Sequence, residues 1–582
     1  MIKATGVFVL LFAAISVTAQ MHPSIERALN YIRVFNRAES QRDSAMGHWL
    51  GSNSEEDFAR RYQFYRELHD SLSGLNPNVL DKSDRINLEL LLYTVKDELS
   101  AYRYKSYLNP ILSDEGFHTG LAYMGNEVLV TEKDFKSYIN RLKDIPRYVE
   151  EHLELMRRGL SLGICQPKII LTGYQNTYEQ HIVKDPEKSV FWKPFQNRPT
   201  GFSDLQWDSI QTLGRSVIMK YAVKSFTDIR TFFQNEYLPR TRMTIGVSHF
   251  PDGIAYYQDR VHHYTSTDLH YDSIYEIGLR EVTRIKNEMH EVMQEVRFKG
   301  SLNAFIQQLR SDKRFYVNTP EQLLKEASYI AKKADGQLPR FFGRLPRQPY
   351  GVEAVPAHLA PTYTAGRYAG ASIASRRAGY YWVNTYNLAS RPLYALEALT
   401  LHEAVPGHHL QIALTRELNE LPEFRRSLYV NAFGEGWGLY AEYLGTEMGF
   451  YKDPYSRFGK LTYEMWRACR LVLDVALHTK GWTREQAVNY LAENTALSLH
   501  EVNTEINRYI SWPGQALAYK MGELKIRELR QRAEQKLGKR FDIREFHDLV
   551  LSEGTVTLRI LEQMVDDYIN RVLQKADNIA FD

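Results

Sequence analysis

The chain has 582 residues, 44% apolar and 25% charged, the balance of an ordinary globular protein and not of a disordered one. Its 73 Lys and Arg against 70 Asp and Glu leave a net charge of +3, which argues against nucleic acid or an anionic membrane as the main partner. Two cysteines, Cys165 and Cys469, exclude a four-cysteine zinc site and are expected as free, buried thiols.

The sequence opens with MIKATGVFVLLFAAISVTAQ, one lysine ahead of an apolar run from Val7 to Val17, then Val17-Thr18-Ala19 in the small-residue pattern of a signal-peptidase site. Residues 1–19 read as a secretory signal, too short for a permanent span. No cysteine follows the run, which speaks against lipid anchoring, and no second run is long enough to cross a bilayer. The mature chain is expected to be exported, periplasmic or secreted, with no stable membrane insertion.

Residues 20–245 read as a helical array, with apolar residues at helical spacing in IERALNYIRVF, INLELLLYTVKDEL and FKSYINRLKDIPRYVEEHLELMRRGL. SHFPDGIAYYQDRVHHYTSTDL then reads as an irregular, tyrosine-rich segment and marks a subdomain boundary. The remainder, 246–582, carries the candidate site. Its helical pattern resumes at SIYEIGLREVTRIKNEMHEVMQEV and breaks again between about 337 and 395. There GYYWVNTYNL is the best strand candidate, and around Tyr381 to Asn384 it would suit an edge that pairs with extended peptide, Asn384 holding the substrate. No internal repeat is present, and the fold class is mainly α with a small β edge.

Next comes LHEAVPGHHLQ, residues 401–411. A zinc helix of the His-Glu-x-x-His kind spaces its histidines by four residues, which turn about 400° and rise about 6 Å, so that both rings reach one ion. Here His402-Glu403 is followed by His408 and His409 at i+6 and i+7. On a regular helix the first would point about 240° round and the second would lie about 10 Å away. Pro406, however, has no N–H for the carbonyl of His402, and Gly407 tolerates unusual backbone angles, so this sequence can loop the helix out and bring a late histidine back.

NAFGEGWGLYAEYLG puts Glu435 and Glu442 seven apart on one helix face among three glycines, which suggests close helix packing. Glu435 suits the carboxylate of a two-histidine, one-carboxylate zinc site, and Glu442 an acceptor that orients a histidine. In RACRLVLDVALH, Arg467, Arg470, Asp474 and His478 share one face. If buried, that row would position a substrate carboxylate, hold Glu435 or form a structural ion-pair network. RYISWPGQALAYKMG offers Arg508, whose planar fork suits a peptide carboxylate, with Tyr509 and Tyr519.

The segments FPDGIAYY, YYWVNTYN, HEAVPGHHLQ, GEGWGLYAE, RACRLVLDVALHTKGWTREQA and RYISWPGQALAYKMG resemble those of the bacterial domain-of-unknown-function family 885, regarded as zinc-dependent peptidases. More distantly the chain is similar to helical gluzincins such as angiotensin-converting enzyme, thimet oligopeptidase and dipeptidyl peptidase III. That resemblance implies a large helical fold with a deep cleft between two helical halves. Aligning on the Gly-His ending selects His408 over His409 as the second ligand, beside His402 and Glu435, for one Zn2+. Glu403 would be the general base and Tyr519 the oxyanion donor, with Tyr509 as its runner-up. Arg508, Tyr509 and Asn384 would bind substrate, short peptides by analogy of fold. The rival expectations are a non-catalytic peptide- or metal-binding protein of the cell envelope and a zinc amidase acting on cell-wall peptides.

Overall fold

Helices dominate, as the periodicity requires. The computed structural model describes residues 21–581 apart from 358, 362 and 372–376. The leader read at residues 1–19 lies outside the described residues.

The N-terminal array begins with α1 (Pro23–Met46), α2 (Glu55–Ser73), α3 (Lys82–Arg103) and α4 (Glu132–Leu162). Ser54 and Thr131 start α2 and α4 through capping boxes with Asp57 and Asp134, which satisfy donors that the first helical turn leaves unpaired. Helices α1 to α3 bury Ile25, Phe64, Leu68, Leu72, Leu88 and Leu91 against one another. The main core, by contrast, is one hydrophobic cluster running from Ile86 to Ile569, so it passes through the boundary expected near residue 245 without a break.

The segment read as irregular after Ser248 is mostly helix, α5 (Gly253–Thr265). Its Pro and Gly punctuate only the start, and Tyr257 and Val261, four apart, form a fully buried face. Helix α6 (Tyr271–Glu295) follows. The second irregular region holds three strands, β1 (Tyr350–Ala354), β2 (Gly366–Ala369) and β3 (Gly379–Val383), in the order β1-β3-β2. β3 is parallel to β1 and antiparallel to β2. The strand predicted at GYYWV therefore exists but sits in the centre of the sheet, with both of its edges paired. β2 is an outer strand.

The site elements come next: α7 (Leu396–Glu403), α8 (His408–Glu417), α9 (Asn431–Leu444), α10 (Pro454–Thr479), α11 (Leu499–Ser511), α12 (Ala518–Leu537) and α13 (Leu558–Phe581). Helix α10 is buried on all sides, which explains why its sequence is apolar around most of its circumference. A buried ion cluster ties it to its neighbours: Lys520 Nζ on α12 lies 3.0 Å from Glu281 on α6, 3.0 Å from Glu464 on α10 and 2.9 Å from Glu523. No described helix is long and apolar enough to cross a membrane.

Helices α9 and α12 cross at two glycines. A Cβ on Gly436 would lie 2.5 Å from Gly522 Cα, and one on Gly522 would lie 1.8 Å from the Ala432 carbonyl oxygen. Neither backbone can yield without moving a helix, so Gly436→Ala is expected to destabilise the protein by about 1–3 kcal/mol, the usual range for overpacking. The midpoint of denaturant unfolding, compared with wild type, measures it.

Candidate metal centre

The helix carrying His402 stops one residue later, at Glu403, and a new one starts at His408. Between them Ala404 takes φ −92°, ψ −113° and Gly407 φ −76°, ψ −130°. The chain doubles back over the His402 carbonyl so closely that a Cβ on Gly407 would lie 1.9 Å from that oxygen. His409 N–H donates to the Ala404 carbonyl (3.1 Å), and Trp437 Nε1 on α9 donates to the Pro406 carbonyl (2.9 Å), which pins the loop.

This fold-back brings the His408 ring to 4.7 Å from that of His402, nearly perpendicular at 87°. Glu435, in the first turns of α9, completes the group: its Oε2 lies 3.7 Å from His402 Nε2 and 3.4 Å from His408 Nε2. Tetrahedral zinc with ligands at its usual bond lengths separates ligand atoms by about 3.3 Å. Among the described residues this is the one group of three or more His, Cys, Asp or Glu whose donor atoms lie within 4.8 Å of one another. The structure thus brings His402, His408 and Glu435 together and leaves His409 out. The His409 Nδ1 is bonded to the Tyr368 hydroxyl (2.9 Å), its ring packs on Tyr350, and burial lowers its pKa to about 4.

The side chains of this group are held in place by further partners. His402 Nδ1 donates to Glu442 Oε1 (2.8 Å), which leaves Nε2 facing the other ligands, and Arg467 Nη2 holds the same Glu442 oxygen at 3.1 Å. Glu442 is therefore the orienting acceptor expected. Gly438 makes room for the imidazole, since a Cβ there would lie 2.6 Å from His402 Cε1. Burial alone would lower the His402 pKa, but the nearby Glu435 carboxylate and the hydrogen bond to Glu442 overcome it and lift the value to about 10. Burial would likewise raise Glu435, yet its bonds from His402 and His408 hold it well below the usual carboxylate range. The pocket is built to keep a positive charge among its carboxylates, as a divalent cation would supply.

Glu403, beside His402, points its Oε2 at the outer strand and accepts the Tyr368 N–H of β2 (2.7 Å). Tyr519, on α12, takes a hydrogen bond from Arg508 Nη2 (3.3 Å), which also donates to Gln515 (2.9 Å), and the Arg470 guanidinium lies over the Tyr519 ring at 4.1 Å. Tyr429 was not singled out by any motif, yet its hydroxyl donates to Glu435 Oε1 (3.1 Å). Burial, and then the charge of Glu435, push the Tyr429 pKa well up, and Tyr519 and Glu403 add to the effect. Tyr429 precedes α9, so no helical spacing relates it to Glu435.

Two expected substrate residues are placed elsewhere. Tyr509 is fully buried, its hydroxyl accepting from Trp466 Nε1 (2.7 Å) and Arg470 Nε (3.0 Å), so it props Arg470 in the core. Asn384 is also fully buried. Its Nδ2 donates to the carbonyls of Ala360, Tyr363 and Thr364, each at 2.9 Å, and its Oδ1 accepts from Tyr386 N, so it shapes the loop into β2 and has no free atom for a peptide. The α10 row does face inward, as a paired network: Arg467 holds Glu442 rather than Glu435, and Arg470 pairs with Glu505 (2.8 Å). Asp474 takes Tyr257 and the Gly514 N–H, and His478 Nε2 donates to the Tyr509 carbonyl.

Over residues 41–565 the chain matches the family described as bacterial protein of unknown function, DUF885. Among solved structures it is similar to the crystal structure of a "putative lipoprotein" from Colwellia psychrerythraea, at 27% identity over 94% of this chain and 99% of that one, TM-score 0.84. It is also similar to a "putative lipoprotein of unknown function" from Shewanella oneidensis, at 17% identity over 93% of this chain and 99% of that one, TM-score 0.67, a likeness of fold alone. None of the curated proteins matches.

His408→Ala is expected to abolish uptake of a divalent cation while His409→Ala retains it, which metal analysis after dialysis checks. The pH dependence has a definite sign. His402 holds its proton up to about pH 10 in the folded, metal-free protein, against about 6.5 when unfolded. The stability that this proton confers is complete below about pH 6.5 and fades toward pH 10. Melting curves of chelator-treated protein should therefore fall across that window, and metal loading should flatten the fall.

Proposed function

The chain belongs to the DUF885 family, and we propose that this member is an exported zinc-dependent metallopeptidase acting on short peptides. One observation carries the reading: His402, His408 and Glu435 converge on one point with Glu403 adjoining the first of them. Binding alone would need no carboxylate there. Two histidines and one carboxylate, with the fourth direction left to water or substrate, make the donor set of catalytic and not of structural zinc.

Bound zinc would supply a water activated near neutral pH and would polarise the scissile carbonyl. Glu403 would serve as the general base, holding the proton of the attacking water and returning it to the leaving amine. The Tyr519 hydroxyl, held by Arg508, donates to the oxyanion as it develops. Arg508 and Gln515 offer fork and amide to a peptide terminus. β2 would take over the role expected of β3: it is one of the two outer strands and the one that touches Glu403, and extended peptides add to such edges by backbone hydrogen bonds. Export rests on the leader at residues 1–19, and the structural neighbours described as lipoproteins fit a place in the cell envelope.

Metal-loaded protein incubated with a mixed peptide library should yield defined cleavage products by mass spectrometry. Glu403→Gln should bind the metal and lose turnover by about 10²-fold or more. Tyr519→Phe should lower kcat by about 10²- to 10³-fold. A metal-loaded wild type that cleaves nothing would overturn the peptidase reading and leave a binding protein. Equal cleavage by Glu403→Gln would remove that residue from its role.

A further inference from the structure

Each ligand of the candidate centre carries a second polar atom that must also be accommodated. On His402 it is Nδ1, given to Glu442. On His408 it is Nδ1, which faces Gln411 Oε1 at 3.5 Å. On Glu435 it is Oε1, and there the partner is a tyrosine, Tyr429, at 3.1 Å. The two oxygens of Glu435 are thus divided. Oε2 is the one near both imidazole Nε2 atoms, and Oε1 is turned to Tyr429.

A carboxylate can ligate through either oxygen or both, and its terminal torsion is soft. Nothing in a helix fixes which oxygen faces the ion. We propose that Tyr429 is a positioning residue of the metal centre: its hydroxyl engages Glu435 Oε1 and so commits Oε2 alone to the metal. The inference rests on reading the site as a metal centre.

The placement of Tyr429 owes nothing to Glu435 itself. Thr555, just ahead of α13, grips the backbone on both sides of it, donating to the Leu428 carbonyl (2.6 Å) and accepting from Val430 N (3.1 Å). The ring then lies over Gly434, where a Cβ would come within 2.3 Å of Tyr429 Cζ and 2.4 Å of its hydroxyl oxygen. The glycine immediately before the ligand is therefore the space that lets the hydroxyl reach it. Tyr519 differs, because its hydroxyl is met by Arg508 and not by a ligand. Tyr429 acts through Glu435, whereas Tyr519 is the residue proposed above to meet substrate.

The test uses full-length protein stripped with chelator and reloaded with Zn2+ or Co2+. Zinc affinity is read by competition with a chromophoric chelator, and coordination by the visible spectrum of the cobalt form. Tyr429→Phe keeps the ring and removes the hydroxyl. It should weaken zinc about 10- to 100-fold, the usual effect of losing a partner that orients a ligand, and should change the cobalt spectrum as Glu435 becomes free to bind through either oxygen. Gly434→Ala keeps the hydroxyl and displaces the ring, so it should shift both readouts in the same direction, and it stands in if Tyr429→Phe folds poorly. Wild-type affinity and an unchanged cobalt spectrum in the variants would overturn the proposal. Failure of the wild type itself to take up zinc or cobalt would bring down the metal reading, and this proposal with it, a result seen without any variant.

Discussion

The carbonyl of His402 governs the site. In a continuing helix it would accept the N–H of residue 406, and Pro406 has none, so the helix must end there and the carbonyl must be covered another way. Gly407 closes over it at a distance no side chain would permit, and the chain re-enters a helix at His408. Two histidines six residues apart, which a regular helix would point in different directions, thereby stand face to edge beside one carboxylate. Had the helix merely bent, His408 would have faced away from His402 and Glu435.

Helix α9 holds that arrangement from the other side. Glu435 joins the two histidines, Glu442 two turns on takes the far nitrogen of His402, and Trp437 reaches the loop at Pro406. The glycines between them are clearances, each for a different neighbour: the Tyr429 ring at Gly434, the backbone of α12 at Gly436, the His402 ring at Gly438. One helix therefore supplies a candidate ligand, an acid that orients His402 and a brace, and it crosses α12 at Gly436 and Gly522.

Much of this was legible because local rules decide it. The break at Pro406-Gly407 follows from a missing donor, the pairing of Glu435 with Glu442 from helical spacing, and the strand at Gly379–Val383 from its β-branched and aromatic residues. The shared face of Arg467, Arg470, Asp474 and His478 on α10 followed from helical spacing, and the structure supplied its inward direction. Less legible was anything set by non-local pairing. The strand at Tyr381 looked like an edge because a single strand does not reveal its neighbours, and β1 and β2 flank it from 29 and 13 residues upstream, counted from Tyr350 and Gly366 to Gly379. Asn384 looked free for a peptide, yet its amide is fully used on the loop that leads into β2. Tyr429 went unnoticed because it lies outside the helix that carries its partner.

By itself the sequence determined a mainly helical chain, the place where the metal-centre helix must break, and the residue types able to hold and use an ion. Those depend on backbone chemistry and on spacing within one element. Tertiary structure alone decided which of two adjacent buried histidines joins His402 and Glu435, which strand lies in the centre of the sheet, and which tyrosine meets Glu435 and which meets Arg508. Each of these is a choice between parts of similar chemistry, settled by the packing of segments far apart in the chain: His409 is taken up by Tyr368 and Tyr350, and His408 stands beside His402 and Glu435.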